Sequence, residues 1–64
     1  MPLITIELSP GRTNAQKLEY MQQVTQLTAE VLKCPIETID VVYKEIPGYH
    51  WAHAGKFYVN PENK

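Results

Sequence analysis

Between two short runs of alternating apolar residues lies one long run with helical spacing, and that order leaves few folds open to a chain of 64 residues. In the first run Ile4, Ile6 and Leu8 alternate with Thr5 and Glu7, so Pro2–Leu8 reads as a strand with one apolar face. Ser9-Pro10-Gly11 ends it with turn chemistry. Thr13 then has the character of a helix N-cap, and Gln16 three residues later completes a capping-box pattern. Leu18, Met21, Val24, Leu27, Val31 and Leu32 follow at three- and four-residue spacing, with Lys17, Glu19, Gln22, Gln23, Gln26 and Glu30 filling the other side. This predicts an amphipathic helix of about five turns that stops near Lys33, ahead of Pro35. Ile36–Thr38 lead into a second strand, Ile39–Ile46, with Ile39, Val41 and Tyr43 on one face and Asp40, Val42 and Lys44 on the other. Pro47-Gly48 breaks that strand. Tyr49–Val59 is aromatic and contains glycine, which fits a small hairpin, and Asn60–Lys64 reads as a loose tail.

Strand, long helix and strand make one βαβ unit. A helix of about 30 Å is long enough for a right-handed crossover that lays the strands parallel. The expected class is therefore α/β: a single domain over residues 1–64, built as a βαβ protomer with a short C-terminal hairpin. Parallel sheets are normally covered on both faces, and one helix cannot cover both faces of two strands. The protomer is expected to be incomplete alone and to be finished by oligomerisation, with Val42 and Tyr49–Val59 as contacts. Size points the same way. A core in this range rarely supplies more than about 3–5 kcal/mol. Cys34 is the single cysteine, so no disulfide forms within the chain. With His50 and His53 it falls short of the roughly four ligands of a structural zinc.

Composition excludes several classes. A hydrophobic content of 44% with 20% charged residues is ordinary for a folded protein. A net charge of −1 gives no electrostatic footprint for nucleic acid or an anionic membrane. No apolar run approaches the roughly 20 residues of a membrane span, and no secretory signal pattern is present. A cytosolic location is the expectation, and the lone thiol agrees with it.

With these elements in place the chain resembles the 4-oxalocrotonate tautomerase family of the tautomerase superfamily. The likeness runs from about Met1 to Gly55. It is carried by Met1-Pro2 at the head of a strand, Gly11-Arg12-Thr13-Asn14-Ala15-Gln16-Lys17, the helix length, the turn at Pro35 and Glu45 closing the second strand. The resemblance implies protomers that pair and assemble as hexamers, homo-oligomeric or with a similar partner chain. It also implies cofactor-independent proton transfer on a small carboxylic acid by the amine of an N-terminal proline. Pro2 matches that proline, exposed once Met1 is removed. Arg12 matches an arginine that binds a substrate carboxylate, and Trp51 stands where the family commonly has a phenylalanine walling the pocket. A second family arginine aligns with Asp40, which would repel an anion. His53 stands where the branch that adds water to haloacrylates has an acidic residue.

The residues themselves support part of this. A proline amine is mostly protonated at neutral pH, and burial among Leu8, Trp51 and other apolar groups disfavours its charged form. A nearby cation such as Arg12 pushes the same way. Without the family resemblance Pro2 reads simply as the start of an edge strand, where a missing N–H costs little. Arg12 can grip a carboxylate with two parallel hydrogen bonds beside a helix N-terminus. Trp51 suits a pocket wall or an interface anchor. Asp40 is open to pairing with a lysine across an interface or to contact with the substrate. His50 and His53 read mainly as surface histidines, with His53 a minority acid/base, and Cys34 as a structural thiol. Tyr43, Tyr49 and Tyr58 read as core or interface residues with a hydroxyl to offer a developing enolate. The leading expectation is a tautomerase. The alternatives are a hydratase, dehalogenase or decarboxylase on the same fold, or a non-catalytic subunit of a hetero-oligomer.

Overall fold

The computed structural model describes residues 2–59. Processing at Met1 and the tail Asn60–Lys64 lie outside the described residues. Strand β1 spans Leu3–Leu8, helix α1 Asn14–Leu32 and strand β2 Asp40–Glu45. A 3₁₀ turn, Ile36–Thr38, joins α1 to β2. After a second such turn at Gly48–His50 come the two-residue strands β3, Ala52–His53, and β4, Lys56–Phe57. This is the βαβ architecture with the short terminal hairpin that the sequence predicts.

β1 and β2 pair in parallel from Leu3 opposite Asp40 to Leu8 opposite Glu45. Successive strand side chains point to opposite faces, so the register sorts the sheet into two layers of contacts. Ile4, Ile6 and Leu8 are half-buried together with Val41 and Tyr43, which pair within the same parity as Glu45. Leu3, Thr5 and Glu7 are exposed opposite Asp40, Val42 and Lys44. Helix α1 lies over the first set. Tyr43 ties it down, its hydroxyl donating to the Lys17 carbonyl at 2.9 Å.

The helix ends form as the sequence indicates. The Thr13 hydroxyl accepts from the Gln16 N–H at 3.0 Å, and the Thr13 N–H donates to Gln16 Oε1 at 2.9 Å. This reciprocal pair satisfies donors that a helix start leaves open. At the other end Lys33 takes a left-handed conformation, φ 57°, and Cys34 N–H donates to the Ala29 carbonyl.

The helix face differs from the predicted one. Lys17, Met21, Val24, Thr25 and Thr28 are half-buried toward the sheet, whereas Leu18, Leu27, Val31 and Leu32 are exposed. The apolar residues form a stripe wider than two strands can cover, so its flanks remain open. Leu27 is 57% exposed and Val31 64%. Among the described residues none is fully buried. The radius of gyration is 15.4 Å, against about 11 Å for a compact chain of this length. The protomer is thus an open, elongated body of 47 × 25 × 14 Å.

The hairpin turns through Ala54 and Gly55 with φ of 54° and 81°. Two positive φ values in a two-residue loop are the type I′ pattern, whose twist matches that of paired strands. Beyond β4 the Tyr58 N–H donates to the Trp51 carbonyl, and the Val59 N–H to that of Gly48. Among the described residues no helix is long and apolar enough to cross a membrane.

Candidate active site

An open cleft of about 320 Å³ lies where β1 runs into α1. Its lining is Ile6 and Leu8 from β1, Arg12 from the connecting loop, Gln16, Lys17 and Tyr20 from the first turns of α1, and Tyr43 from β2. Gly11 makes the approach possible. Its φ of 125° lies in a region that side-chain-bearing residues rarely adopt, and it turns the chain so that Arg12 sits directly ahead of the Thr13 cap. Arg12 thus lines the cleft one residue ahead of a helix N-cap, at an end whose dipole favours an anion.

Lys17 is the second cation of the cleft. Its Nζ forms an ion pair with Glu45 Oε2, and the two side chains are 22% and 36% exposed. Strand parity explains the meeting, because Glu45 shares the helix-facing side of the sheet with Val41 and Tyr43. An ion pair this wet contributes at most about 1 kcal/mol to stability. Its larger effect is on the charge of the cleft. Among the described residues no carboxylate lies within ion-pair distance of Arg12.

Of the residues singled out from sequence, the protomer brings Leu8 and Arg12 together in this cleft. Pro2 stands at the other end of β1, six strand residues away, or about 20 Å at the rise of an extended chain. There it is half-buried, and its carbonyl accepts from the Asp40 N–H at 3.0 Å. Asp40 shares that end of the sheet, on the exposed face away from α1. Neither residue meets Arg12 within one chain. Trp51 follows the second 3₁₀ turn, half-buried, with its ring 5.4 Å from that of Tyr58. His53 is exposed on β3 opposite Lys56. His50 is exposed too, its ring set edge-on to Tyr49 at 4.7 Å. Among the described residues no group of three or more His, Cys, Asp or Glu side chains could hold a metal ion.

Gln16, Lys17 and Tyr20 join the cleft without having been singled out for it, and Tyr43, read from sequence as a core or interface residue with a hydroxyl to offer, joins them. Gln16 and Lys17 stand in the same Gly11–Lys17 run as Arg12, a signal that was present. The Lys17–Glu45 pair spans 28 residues of sequence, and no local pattern reveals it. The Tyr43 hydroxyl is engaged by the Lys17 carbonyl, so in this arrangement its proton is committed to the scaffold.

With this geometry in hand, comparison with known proteins is informative. The sequence model of the family described as tautomerase enzyme matches residues 2–59. A probable tautomerase of Ralstonia nicotianae is 38% identical over 55 residues, 86% of this chain and 79% of that protein. A probable tautomerase of Halalkalibacterium halodurans is 36% identical over 56 residues, 88% of this chain and 92% of its own. The crystal structure of YwhB, a homologue of 4-oxalocrotonate tautomerase, superposes with a TM-score of 0.88 at 32% identity and covers 92% of this chain and 97% of that one.

Proposed function

The chain belongs to the tautomerase family, among the homologues of 4-oxalocrotonate tautomerase, and on that premise we propose that it is a cytosolic isomerase that interconverts the enol and keto forms of a small unsaturated carboxylic acid. Pro2, freed by removal of Met1, is the base, and Arg12 anchors the carboxylate. The observation that carries this reading is the cleft itself. An arginine with no carboxylate partner among the described residues lines it just ahead of a helix N-cap, together with Ile6 and Leu8. Such a cleft suits one carboxylate joined to an apolar conjugated group.

The reaction needs no redox partner. The neutral amine of Pro2 accepts the enol hydroxyl proton as the C–O bond gains double-bond character. The electron pair of the former C=C bond then takes a proton from the proline ammonium, forming the new C–H bond and returning the amine. Arg12 holds the carboxylate so that reacting carbon and amine stay in register. Desolvation of the Pro2 amine within an assembly is what would favour its neutral form.

A separation of about 20 Å between Pro2 and Leu8 supports a site formed between chains, in which Pro2 of one subunit works beside the Arg12 cleft of another. Exposed Leu3, Leu27 and Val31, with β1 and β2 pairing only with each other among the described residues, support assembly with further chains of this kind.

The direct test follows ketonisation of an aryl enolpyruvate by ultraviolet absorbance, with protein whose mass shows Met1 removed. Rapid turnover is expected, and Pro2→Ala should abolish it. Full activity in Pro2→Ala would end the proposal. A second reading, hydration or dehalogenation with His53 or Asp40 assisting water, draws on the bond that holds Asp40 to the Pro2 end of the sheet. It predicts halide release from 3-haloacrylates instead.

A further inference from the structure

The cleft contains two cations but only one is available. Arg12 has no acidic partner among the described residues, whereas Lys17 is held by Glu45. The Oε1 of Gln16 is taken up by the Thr13 N–H, which leaves this side chain only its neutral amide N–H groups to offer. What remains of the lining is Ile6, Leu8, Tyr20 and Tyr43, two aliphatic side chains and two rings. A ligand entering here meets one free positive charge and then a largely apolar wall.

From this arrangement we infer that Glu45, through its ion pair with Lys17, is a specificity-determining residue that limits the cleft to monocarboxylates bearing a flat, uncharged aryl or vinylic group. The inference rests on the reading of the cleft as the carboxylate site and adds the substrate class. A first carboxylate takes the Arg12 fork in two parallel hydrogen bonds. Within the cleft a second carboxylate on the same molecule finds no free cation, only the neutral donors of Gln16 and Tyr20. Against Ile6, Leu8 or a tyrosine ring it is desolvated without a partner. Against Lys17 it must displace Glu45, which leaves one anion facing another. Either outcome disfavours the dianion, while an uncharged planar tail loses nothing and buries apolar surface.

Glu45 is thus a positioning residue that acts through Lys17. Its removal has a signature that simple damage to the fold lacks. Neutralising Glu45 frees Lys17 and selectively improves binding of the dianion. Neutralising Lys17 as well takes that improvement away. Loss of structure would weaken both ligands together.

The experiment is calorimetric titration of the assembled protein with trans-cinnamate and with 4-carboxycinnamate, which differ by one carboxylate and contain no enol to ketonise. The unmodified protein is expected to bind cinnamate more tightly. Glu45→Gln should shift the ratio of dissociation constants toward the dianion by about fivefold, the worth of one exposed ion pair. Glu45→Gln combined with Lys17→Met should restore the original ratio. Equal affinities in the unmodified protein, or a ratio that Glu45→Gln leaves unchanged, would overturn the inference. Binding requires no proton transfer, so an absence of tautomerase turnover would leave these ratios fully readable.

Discussion

The Asp40 N–H donates to the carbonyl of Pro2 at 3.0 Å, fastening the residue before β1 to the first residue of β2. The bond is made by backbone alone, so the charge of Asp40 can be changed without loosening Pro2. Asp40→Asn should leave stability within about 0.5 kcal/mol, as expected for an exposed substitution. If the acid repels a second substrate carboxylate, the same change should raise kcat/KM on a dianionic enol several-fold. Thermal unfolding and steady-state kinetics on the same preparation check both halves.

Arg12 is expected to act on binding more than on the chemical step. Arg12→Ala should raise KM for the carboxylate substrate by about 10- to 100-fold, since hydrogen bonds to a charged group contribute about 1.5–3 kcal/mol. Arg12→Lys should recover only part of the loss, because an ammonium supplies charge without the planar fork. A fall in kcat at unchanged KM would place the arginine in a different role.

Ala54 occupies a left-handed conformation, φ 54°, that a Cβ disfavours. Asparagine tolerates that region and is favoured ahead of glycine in type I′ loops. Ala54→Asn should therefore stabilise the hairpin by about 0.5–1 kcal/mol, seen as a higher midpoint in chemical denaturation.

Leu27 stands on a flank of α1 with no intramolecular cover, 57% exposed. In an assembly that covers this flank, a lysine there would forfeit part of the roughly 1.5–3 kcal/mol that burial of a leucine contributes per subunit. Leu27→Lys should shift the oligomer toward smaller species at low concentration, as read by sedimentation velocity. An unchanged distribution would mean that this flank stays open in solution.

The scaffold was legible because its signals are local. Period-two alternation marked β1 and β2, three- and four-residue spacing marked α1, and Thr13 with Gln16 marked its start. The direction of the helix was less legible. Leu18, Leu27, Val31 and Leu32 are apolar as a core stripe would be, yet they are exposed in the protomer. Periodicity records that a face is to be covered and not which molecule covers it. The site divides in the same way. Arg12 and Leu8 could be picked out from sequence, Arg12 from its loop beside a helix start and from the family pattern, Leu8 from its place on the apolar face of the first strand. Lys17 and Glu45 could not be paired, because strand parity and register decide their meeting. The separation of Pro2 from Arg12 is likewise a property of topology: a six-residue strand carries its two ends far apart, whatever their chemistry.

That separation gives the account its most direct test. At substrate well below the raised KM of Arg12→Ala, pure Pro2→Ala assemblies should be inactive on an aryl enolpyruvate and pure Arg12→Ala assemblies should keep at most about a tenth of the activity. If Pro2 of one subunit serves the Arg12 cleft of another, unfolding the two variants together and refolding them as mixed oligomers should regenerate a fraction of sites with both residues intact. The predicted result is activity above that of either parent, seen only after mixed refolding and tracking the statistical share of such sites. Mixed oligomers, verified by mass, that are no more active than either parent would contradict a site shared between chains.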